Sequence, residues 1–157
     1  PIGMAAEQNS RGGEGSRLAR WQRAERHVAR IFLPLIEEGF MVMNDIQFKY
    51  GNVDHLVLRP DGRVFLIETK SHRGQVTWDG RDLLLNGKPF RQNYLCQVNR
   101  NIRWLKRISR SIFGKSDWIA AIIVFPYADV RIGRAVKRVR VLNARELVGF
   151  IQAFPLK

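Results

Sequence analysis

Cysteine, histidine and long apolar runs are scarce in this chain of 157 residues, which has one cysteine and three histidines. The single cysteine excludes a disulfide framework and a cysteine-rich zinc site, and the histidines are too scattered for a histidine metal cluster. The longest uninterrupted apolar run, 118–125, is far shorter than the roughly twenty residues that a transmembrane helix needs. No segment near the N terminus has the basic start and apolar centre of a signal peptide. These absences predict a cytoplasmic or otherwise intracellular protein that has no membrane partner.

Acidic residues are also few: there are 14 of them against 27 lysines and arginines, which gives a net charge of +13. A field of this sign attracts polyanions, nucleic acid foremost among them. The apolar fraction of 45% is typical of a folded domain rather than a disordered chain. The length predicts one domain. We place this domain at 17–157, because residues 1–16 are small, polar and glycine-rich, as in a disordered lead-in.

The spacing of apolar residues predicts the order of helices and strands. Steps of three and four from Leu18 predict a first helix that ends near Gly39. Alternating and β-branched runs predict strands at 40–51, 53–59, 63–70, 76–78, 83–85, 119–125 and 136–141. A second long helix is predicted from Pro89 to about Phe113, ended by Gly114, and Asn143 opens a final helix with a capping box. This order, α-β-β-β-hairpin-α-β-β-α, predicts an α/β fold with a mixed central sheet flanked by helices.

Two carboxylates are predicted to face each other at the end of the central hairpin. If the loop 60–62 joins the strands, Asp54 lies opposite Glu68, and Lys70 follows on the same side of the sheet. Like charges about 5 Å apart destabilise a sheet unless a cation compensates them. Lys70 supplies one positive charge, and a divalent ion supplies more. The alternative is a plain polar hairpin end in which Lys70 forms a surface ion pair.

Glu25 interrupts the apolar stripe of the first helix, at a position between Trp21 and Val28 that the pattern reserves for an apolar side chain. A charge buried at such a position is costly unless it is paired. Glu25 therefore either lies at the edge of the stripe and pairs with Arg20 or Arg30, or points at the same metal as the hairpin carboxylates.

The hairpin resembles the PD-(D/E)xK nuclease signature, with Val53-Asp54 followed by Ile67-Glu68-Thr69-Lys70. The wider pattern is similar to the NERD, or nuclease-related, domain. Three stretches carry this resemblance over about residues 18–125: AERHVARIF, NVDHLVLRPDGRVFLIETKSHRGQV and KPFRQNYLCQVNRNIRWL. The resemblance implies a restriction-endonuclease-like core, a divalent metal ion such as Mg²⁺ or Mn²⁺, and hydrolysis of DNA phosphodiesters by a single nuclease-like domain.

The resemblance also implies roles for individual residues. Asp54 and Glu68 correspond to the metal ligands, with the Thr69 carbonyl beside them. Lys70 corresponds to the catalytic lysine, which orients water and offsets charge on the phosphate oxygens. Glu25 corresponds to the helical glutamate.

The family pattern further includes a glutamine early on the second long helix, and two residues compete for this role. Gln92 fits by its distance from Pro89, and Gln97 fits by its distance from Leu105. The sequence departs from the pattern at Ala24, where a glycine usually precedes the glutamate, and at Lys88, where an asparagine usually precedes the proline.

Two acid-free basic runs and one loop arginine are predicted to contact phosphates. The loop residue is Arg73, which follows Lys70 closely. The runs contain Arg100, Arg103, Lys106, Arg107 and Arg110, and then Arg131, Arg134, Lys137 and Arg138. A solvated face normally mixes both signs of charge, so runs of one sign favour phosphate contacts, which carry no sequence information.

Two classes of function remain open from the sequence alone. The first is a metal-dependent DNA endonuclease or exonuclease with little sequence specificity, whose partner is DNA. The second is a non-catalytic module of the same fold that binds nucleic acid without cutting it. The complete set of Glu25, Asp54, Glu68 and Lys70 favours the nuclease. The sequence leaves the oligomeric state open, a homodimer included.

Overall fold

The computed structural model describes the backbone of residues 3–49, 51–113 and 119–155, and the side chains of 13–49, 51–111 and 119–155. Within these residues the chain forms four helices and nine strands. The helices are α1 (Gly3–Ile31), α2 (Leu33–Glu37), α3 (Tyr94–Phe113) and α4 (Ala144–Ala153). The strands are β1 (Met41–Phe48), β2 (Gly51–Leu58), β3 (Val64–Thr69), β4 (Gly74–Trp78), β5 (Leu83–Leu85), β6 (Lys88–Pro89), β7 (Ile119–Val124), β8 (Ala128–Val130) and β9 (Val139–Leu142).

The described strands form two sheets. The larger has the order β1-β2-β3-β7-β9. Its first three strands are antiparallel, and β7 and β9 continue it in parallel. This mixed sheet with flanking helices confirms the predicted α/β class. The smaller sheet, in the order β6-β5-β4-β8, was predicted only as a short hairpin, because β8 is too short for an alternating pattern to reveal it.

Hydrophobic cores cover both faces of the larger sheet, because successive side chains of a strand point to opposite faces. Val57 and Phe65 pack on the side of α1, α2 and α4. Leu56 and Leu66 pack on the other side, with residues of α3 and the smaller sheet. The central strands β2, β3 and β7 are therefore buried on both faces and hold fixed positions at their ends.

Two prolines explain where the helices depart from the predicted boundaries. The predicted first helix is divided into α1 and α2 around Pro34, whose missing N–H and ring interrupt a continuous helix. Pro89 does not open α3 but lies in β6, an edge strand, where a proline costs no internal hydrogen bond. The helix begins instead after Asn93, whose side chain accepts a hydrogen bond from the backbone N–H of Cys96 at 3.0 Å.

The predicted helix boundaries agree with the structure at the C-terminal end of the chain but not at the N-terminal end. α1 begins at Gly3, whereas order was predicted from about Arg17, and described side chains at 13–16 are exposed. The division into 1–16 and 17–157 stays a prediction.

The final helix has its predicted capping box, in which Asn143 accepts from the N–H of Arg145 and Glu146 accepts from the N–H of Asn143. Gly114, the predicted end of the second long helix, lies outside the described residues.

His55 is a buried neutral histidine that ties β2 to its neighbours. Its side chain is 2% exposed. Its ring nitrogens hydrogen-bond to Asn44 Oδ1 at 2.7 Å and to Thr69 Oγ1 at 3.1 Å, and the ring packs edge-on against Phe32. Burial lowers the pKa of His55 to about 4, from an ordinary value of 6.5. The ring is therefore uncharged in the folded protein at neutral pH.

We expect His55→Gln to remove a pH dependence from the free energy of unfolding. Unfolded His55 binds a proton below about pH 6.5 and folded His55 only near pH 4, so wild-type stability falls as the pH drops through this window. The full shift corresponds to about 3 kcal/mol. Denaturant titrations of both proteins across this window, in a chelator, measure the difference. Parallel stability curves would contradict the prediction.

Candidate active site

The candidate site lies where β2 begins and β3 ends. The predicted register is confirmed, since His55 pairs with Ile67 and Leu56 with Leu66. One residue further along, this register sets Asp54 opposite Glu68. Their side chains are 4% and 1% exposed, respectively. Two carboxyl groups are thus buried side by side at the end of the hairpin.

Asp54 accepts the hydrogen bonds that hold this cluster together. The backbone N–H of Thr69 donates to Asp54 Oδ2 at 2.7 Å. The carboxyl groups of Glu25 and Glu68 also hydrogen-bond to Asp54. A carboxylate has no proton to donate, so Glu25 and Glu68 must carry protons when they make these bonds. Burial nevertheless raises the pKa of Asp54, because desolvation outweighs the donors and the charge of Lys70.

Glu25 reaches Asp54 from α1, as in the one of its two expected arrangements that points it at the hairpin carboxylates. Its Oε1 atom is buried without a hydrogen-bond partner. Burial, and then the charge of Asp54, raises the pKa of Glu25 to about 8. Among the described residues no salt bridge joins Glu25 to Arg20 or Arg30, although Glu25 is partly exposed.

Glu68 has a neighbour that the sequence reasoning missed. Asn101 of α3, 2% exposed, donates from Nδ2 to Glu68 Oε1 at 2.9 Å and to the carbonyl of Asn52 at 3.2 Å. Burial is the main cause that raises the pKa of Glu68 to about 8, and the Asn101 bond opposes it. Asn101 could have been found from the sequence, because its amide lies between the apolar stripe positions Val98 and Leu105. A polar residue in an apolar stripe also identified Glu25.

Lys70 lies beside the carboxyl cluster and is held by α3. Its Nζ donates to Gln97 Oε1 at 3.1 Å and lies 4.3 Å from the centre of the Tyr94 ring. No salt bridge in the described part of the chain joins Lys70 to a carboxylate. Its charge still lowers the pKa values of Asp54 and Glu68 through space. Of the two candidate glutamines, Gln97 contacts Lys70, whereas Gln92 is exposed further along the surface.

A groove runs along the surface from Lys70, and we call it the basic groove. Its volume of about 610 Å³ lies within the range of ligand sites in proteins. It is lined by Arg17, Arg20, Trp21, Lys70, Ser71, His72, Arg73, Gln92 and Tyr94. Arg73 was predicted to contact phosphate. The contribution of α1 was missed, because the helical spacing of the arginines does not reveal which neighbour they face.

The first basic run forms one exposed face of α3. Arg100, Arg103, Arg107 and Arg110 recur at helical spacing and are all exposed. Arg103, Lys106, Arg107, Arg110 and Ser111 line a shallow depression on this helix. Because a helix rises about 1.5 Å per residue, Arg107 lies about 15 Å along the axis from Gln97.

The second basic run is less uniform than its sequence suggested. Arg131 is paired with Asp129 at 2.8 Å, so an acid just outside the run neutralises one of its charges. Lys137 Nζ lies 5.6 Å from the centre of the Trp78 ring. Arg134 and Arg138 are exposed. None of these four residues lines the basic groove, so the structure does not bring them together with Lys70.

Comparison with known families agrees with this arrangement. The sequence pattern of the nuclease-related domain, NERD, matches residues 20–126. The chain belongs to the NERD family. The resemblance inferred from the sequence is thereby confirmed, and no curated protein matches the chain.

Solved structures similar to this NERD domain come from archaeal proteins. A repair endonuclease from Pyrococcus abyssi is 20% identical over 81% of this chain and 42% of its own, with a TM-score of 0.39. SfsA from Pyrococcus furiosus, in complex with Ca²⁺, is 18% identical over 78% of this chain and 55% of its own, with a TM-score of 0.34. The NERD chain thus spans about half the length of these proteins.

Two arrangements are absent from the described residues of the NERD domain. No group of three or more histidine, cysteine, aspartate or glutamate side chains there is arranged to hold a metal ion directly. The carboxyl groups of Glu25 and Glu68 form hydrogen bonds with Asp54 instead. None of the described helices combines the length and apolar character needed to cross a membrane.

We expect Glu68→Gln to stabilise the metal-free NERD domain increasingly as the pH rises. Folded Glu68 has a pKa of about 8 against an ordinary 4.5, so its contribution to stability is present below pH 4.5 and is lost as the pH rises through 8. Glutamine is uncharged and loses nothing, so the difference grows by about 1 kcal/mol per pH unit in this window. Unfolding titrations in a chelator measure it, with the exposed Glu37→Gln as control. A constant difference would contradict the prediction.

Proposed function

We propose that this NERD domain is a divalent-metal-dependent deoxyribonuclease that hydrolyses phosphodiester bonds with little sequence preference. The observation that carries the proposal is the convergence of Glu25, Asp54, Glu68 and Lys70 from two strands, a helix and the residue after β3. Placing three carboxyl groups together, with Asp54 and Glu68 buried and Glu25 partly buried, destabilises a protein. An arrangement with that cost is typical of a site whose function needs the charges.

The residues fit a divalent ion such as Mg²⁺ or Mn²⁺. Once Glu25 and Glu68 lose their protons, they no longer donate to Asp54, and oxygens that prefer hard cations face one another. Asp54 and Glu68 would hold the ion, with the carbonyl of Thr69 beside them. Glu25, whose Oε1 has no partner, would complete the set or hold a second ion. Such an ion supplies Lewis acidity to a phosphate oxygen and to water.

The neighbouring side chains of the domain have separate roles in this proposal. Lys70 orients the attacking water and offsets the negative charge that grows on the phosphate oxygens. Gln97 and Tyr94 restrict the motion of the Lys70 ammonium by a hydrogen bond and a cation–π contact. Asn101 fixes the orientation of the Glu68 carboxyl group. Holding these groups in place before reaction reduces the reorganisation needed during it.

DNA is the proposed substrate because two cationic surfaces flank the cluster. The basic groove begins at Lys70 itself. The exposed arginines of α3 offer a second row of phosphate contacts, within about 20 Å of Gln97 along the helix. Both surfaces present side chains that neutralise phosphates without distinguishing bases, which supports binding that is independent of sequence.

We expect Asp54→Ala and Lys70→Met each to abolish most cleavage, while Asp54→Ala leaves DNA binding intact and Lys70→Met costs it at most one phosphate contact. Loss of one preorganised charge at a reacting phosphate typically lowers the rate by about 10²–10³-fold. The measurements are plasmid cleavage with Mg²⁺ or Mn²⁺, and DNA affinity in a chelator. The exposed Glu37→Ala variant is the control. Cleavage within a few-fold of wild type in either variant would refute the site assignment.

The exposed arginines of α3 predict how the DNA affinity depends on the salt concentration. If about six phosphates are neutralised, affinity falls by roughly a thousandfold between 50 and 200 mM salt. Arg107→Gln is expected to reduce the slope of log affinity against log salt by about 0.9, whereas the equally exposed Arg145→Gln on α4 leaves it unchanged. Fluorescence anisotropy in a chelator measures both slopes. Equal slopes for the two variants would remove α3 from the DNA-binding surface.

The alternative function is a module of the same fold that binds nucleic acid without cutting it. The hydrogen bonding of Glu25 and Glu68 to Asp54 favours this function if Glu25 and Glu68 keep their protons when a metal ion is offered. The same assays separate the two functions. Salt-dependent binding with no cleavage in either metal, and no stabilisation of the wild type by Mg²⁺ or Mn²⁺, would establish the binding module.

A further inference from the structure

The basic groove is lined by aromatic rings as well as by cations. The depression on the exposed face of α3 is lined by cations without rings. We infer that the groove binds an unpaired nucleic acid strand, with its bases stacked on these rings and its phosphates beside the arginines. The inference deepens the proposed deoxyribonuclease function and rests on it, since it assigns unpaired DNA as the substrate. Three features of the groove carry it: an open indole beside Glu25, an aromatic wall opposite, and the sign of the charges.

Trp21 is the open indole. It is half-buried and lines the groove together with Arg17 and Arg20. Among the described residues, no ring contact or hydrogen bond involves Trp21. Glu25 follows it by four residues, so the two side chains lie on one face of α1, about 6 Å apart along the axis. A base stacked on Trp21 would therefore be adjacent to the carboxyl cluster.

The opposite wall is a rigid group of rings from three segments. His72 Nε2 and Tyr94 Oη are 2.7 Å apart and share a hydrogen bond. The ring of Phe90 lies 5.1 Å from that of Tyr94 and 5.0 Å from that of His72. Phe90 is also stacked on the fully buried Phe125 at 5.7 Å. The wall is thus fixed to the core, yet His72, Phe90 and Tyr94 each remain partly exposed.

The groove continues past this wall with the same charge. A second cavity shares His72, Gln92 and Tyr94 with the groove and adds Phe90, Lys88 and Arg91. No acidic residue of the described chain lines either cavity. Cations and rings therefore line both of these adjoining cavities, and the first of them includes Lys70 beside the carboxyl cluster.

An unpaired strand fits this path better than a duplex does. In a duplex the faces of the bases are covered by their neighbours, so aromatic side chains in a groove gain little from it. In an unpaired strand those faces are free, and stacking on an aromatic side chain contributes about 1–3 kcal/mol per base. A cationic groove with interleaved aromatic rings is the arrangement used for single strands of any sequence.

The test compares oligo-dT with a blunt duplex of the same length, both in a chelator to prevent cleavage. We expect the wild type to prefer oligo-dT. Trp21→Ala should weaken oligo-dT binding by about tenfold and duplex binding by less than twofold, and Trp21→Phe should restore most of the affinity because it keeps a ring. Binding should also quench tryptophan fluorescence in the wild type, and less in Trp21→Phe.

Charge is tested with a matched pair on the same helix. Arg17→Gln lies in the groove, whereas Arg23→Gln removes the same charge from an exposed position that does not line it. Only Arg17→Gln should weaken oligo-dT binding. Equal losses in the two variants would overturn the inference, because a general field would then explain the binding.

Three further outcomes would overturn the inference: equal affinity for oligo-dT and duplex, equal effects of Trp21→Ala on both, or tight binding of oligo-U without binding of oligo-dT. Its failure is distinguishable from failure of the proposed function. A protein that cuts plasmid DNA but shows no dependence on Trp21 keeps the nuclease and loses this inference. A protein that binds oligo-dT through Trp21 but cuts no DNA keeps the strand-binding groove and loses the nuclease.

Discussion

The meeting of three carboxyl groups at one point, two of them buried and one partly buried, is the constraint around which this domain is arranged. Each group is brought by a different element: Asp54 by β2, Glu68 by β3 and Glu25 by α1. In the absence of a cation the cluster is tolerable because burial raises the pKa values of Glu25 and Glu68 to about 8, which favours their uncharged forms at neutral pH. The elements around the cluster supply the remaining compensation: the N–H of Thr69, the amide of Asn101 and the ammonium of Lys70, which α3 holds in place. The position of α3 on the sheet is thus tied to the electrostatics of the hairpin.

The geometry of the strands explains why groups from both faces of the sheet can meet. Residues two apart in a regular strand share a face, yet Val53 belongs to the core under α3, while His55 packs against Phe32, between α1 and α2. The alternation of β2 is therefore irregular on the two sides of Asp54, which indicates a local twist of the strand. Asp45, in the neighbouring strand, has a φ of 52°, a left-handed conformation that aspartate tolerates better than most residues. This local twist lets Asp54 contact Glu25 from α1 as well as Glu68.

The parts of the site that were predictable from sequence are those fixed by short-range rules. The loop at 60–62 set the hairpin register, and the register set Asp54 against Glu68. Glu25 was predictable because a charge stood where helical spacing required an apolar group. Asn101 obeyed the same rule and was missed, since an amide in an apolar stripe is a weaker signal than a carboxylate. The groove could not be predicted, because Trp21 of α1 and Tyr94 of α3 are distant in sequence and meet only through packing. The same holds for Pro89: its chemistry suits both a first helical turn and an edge strand, and only the pairing of β6 with β5 decides between them.

The two cationic surfaces differ in the side chains that accompany their charges, and this difference suits them to different forms of nucleic acid. The arginines of α3 lie on one exposed helix face with no ring between them, which suits phosphates presented at regular intervals on the outside of a duplex. The basic groove mixes arginines with rings and leads directly to Lys70, which suits a strand whose bases are free to stack. A substrate with both a paired and an unpaired portion would engage the two surfaces together. The unpaired portion would then lie next to the carboxyl cluster, where the groove begins.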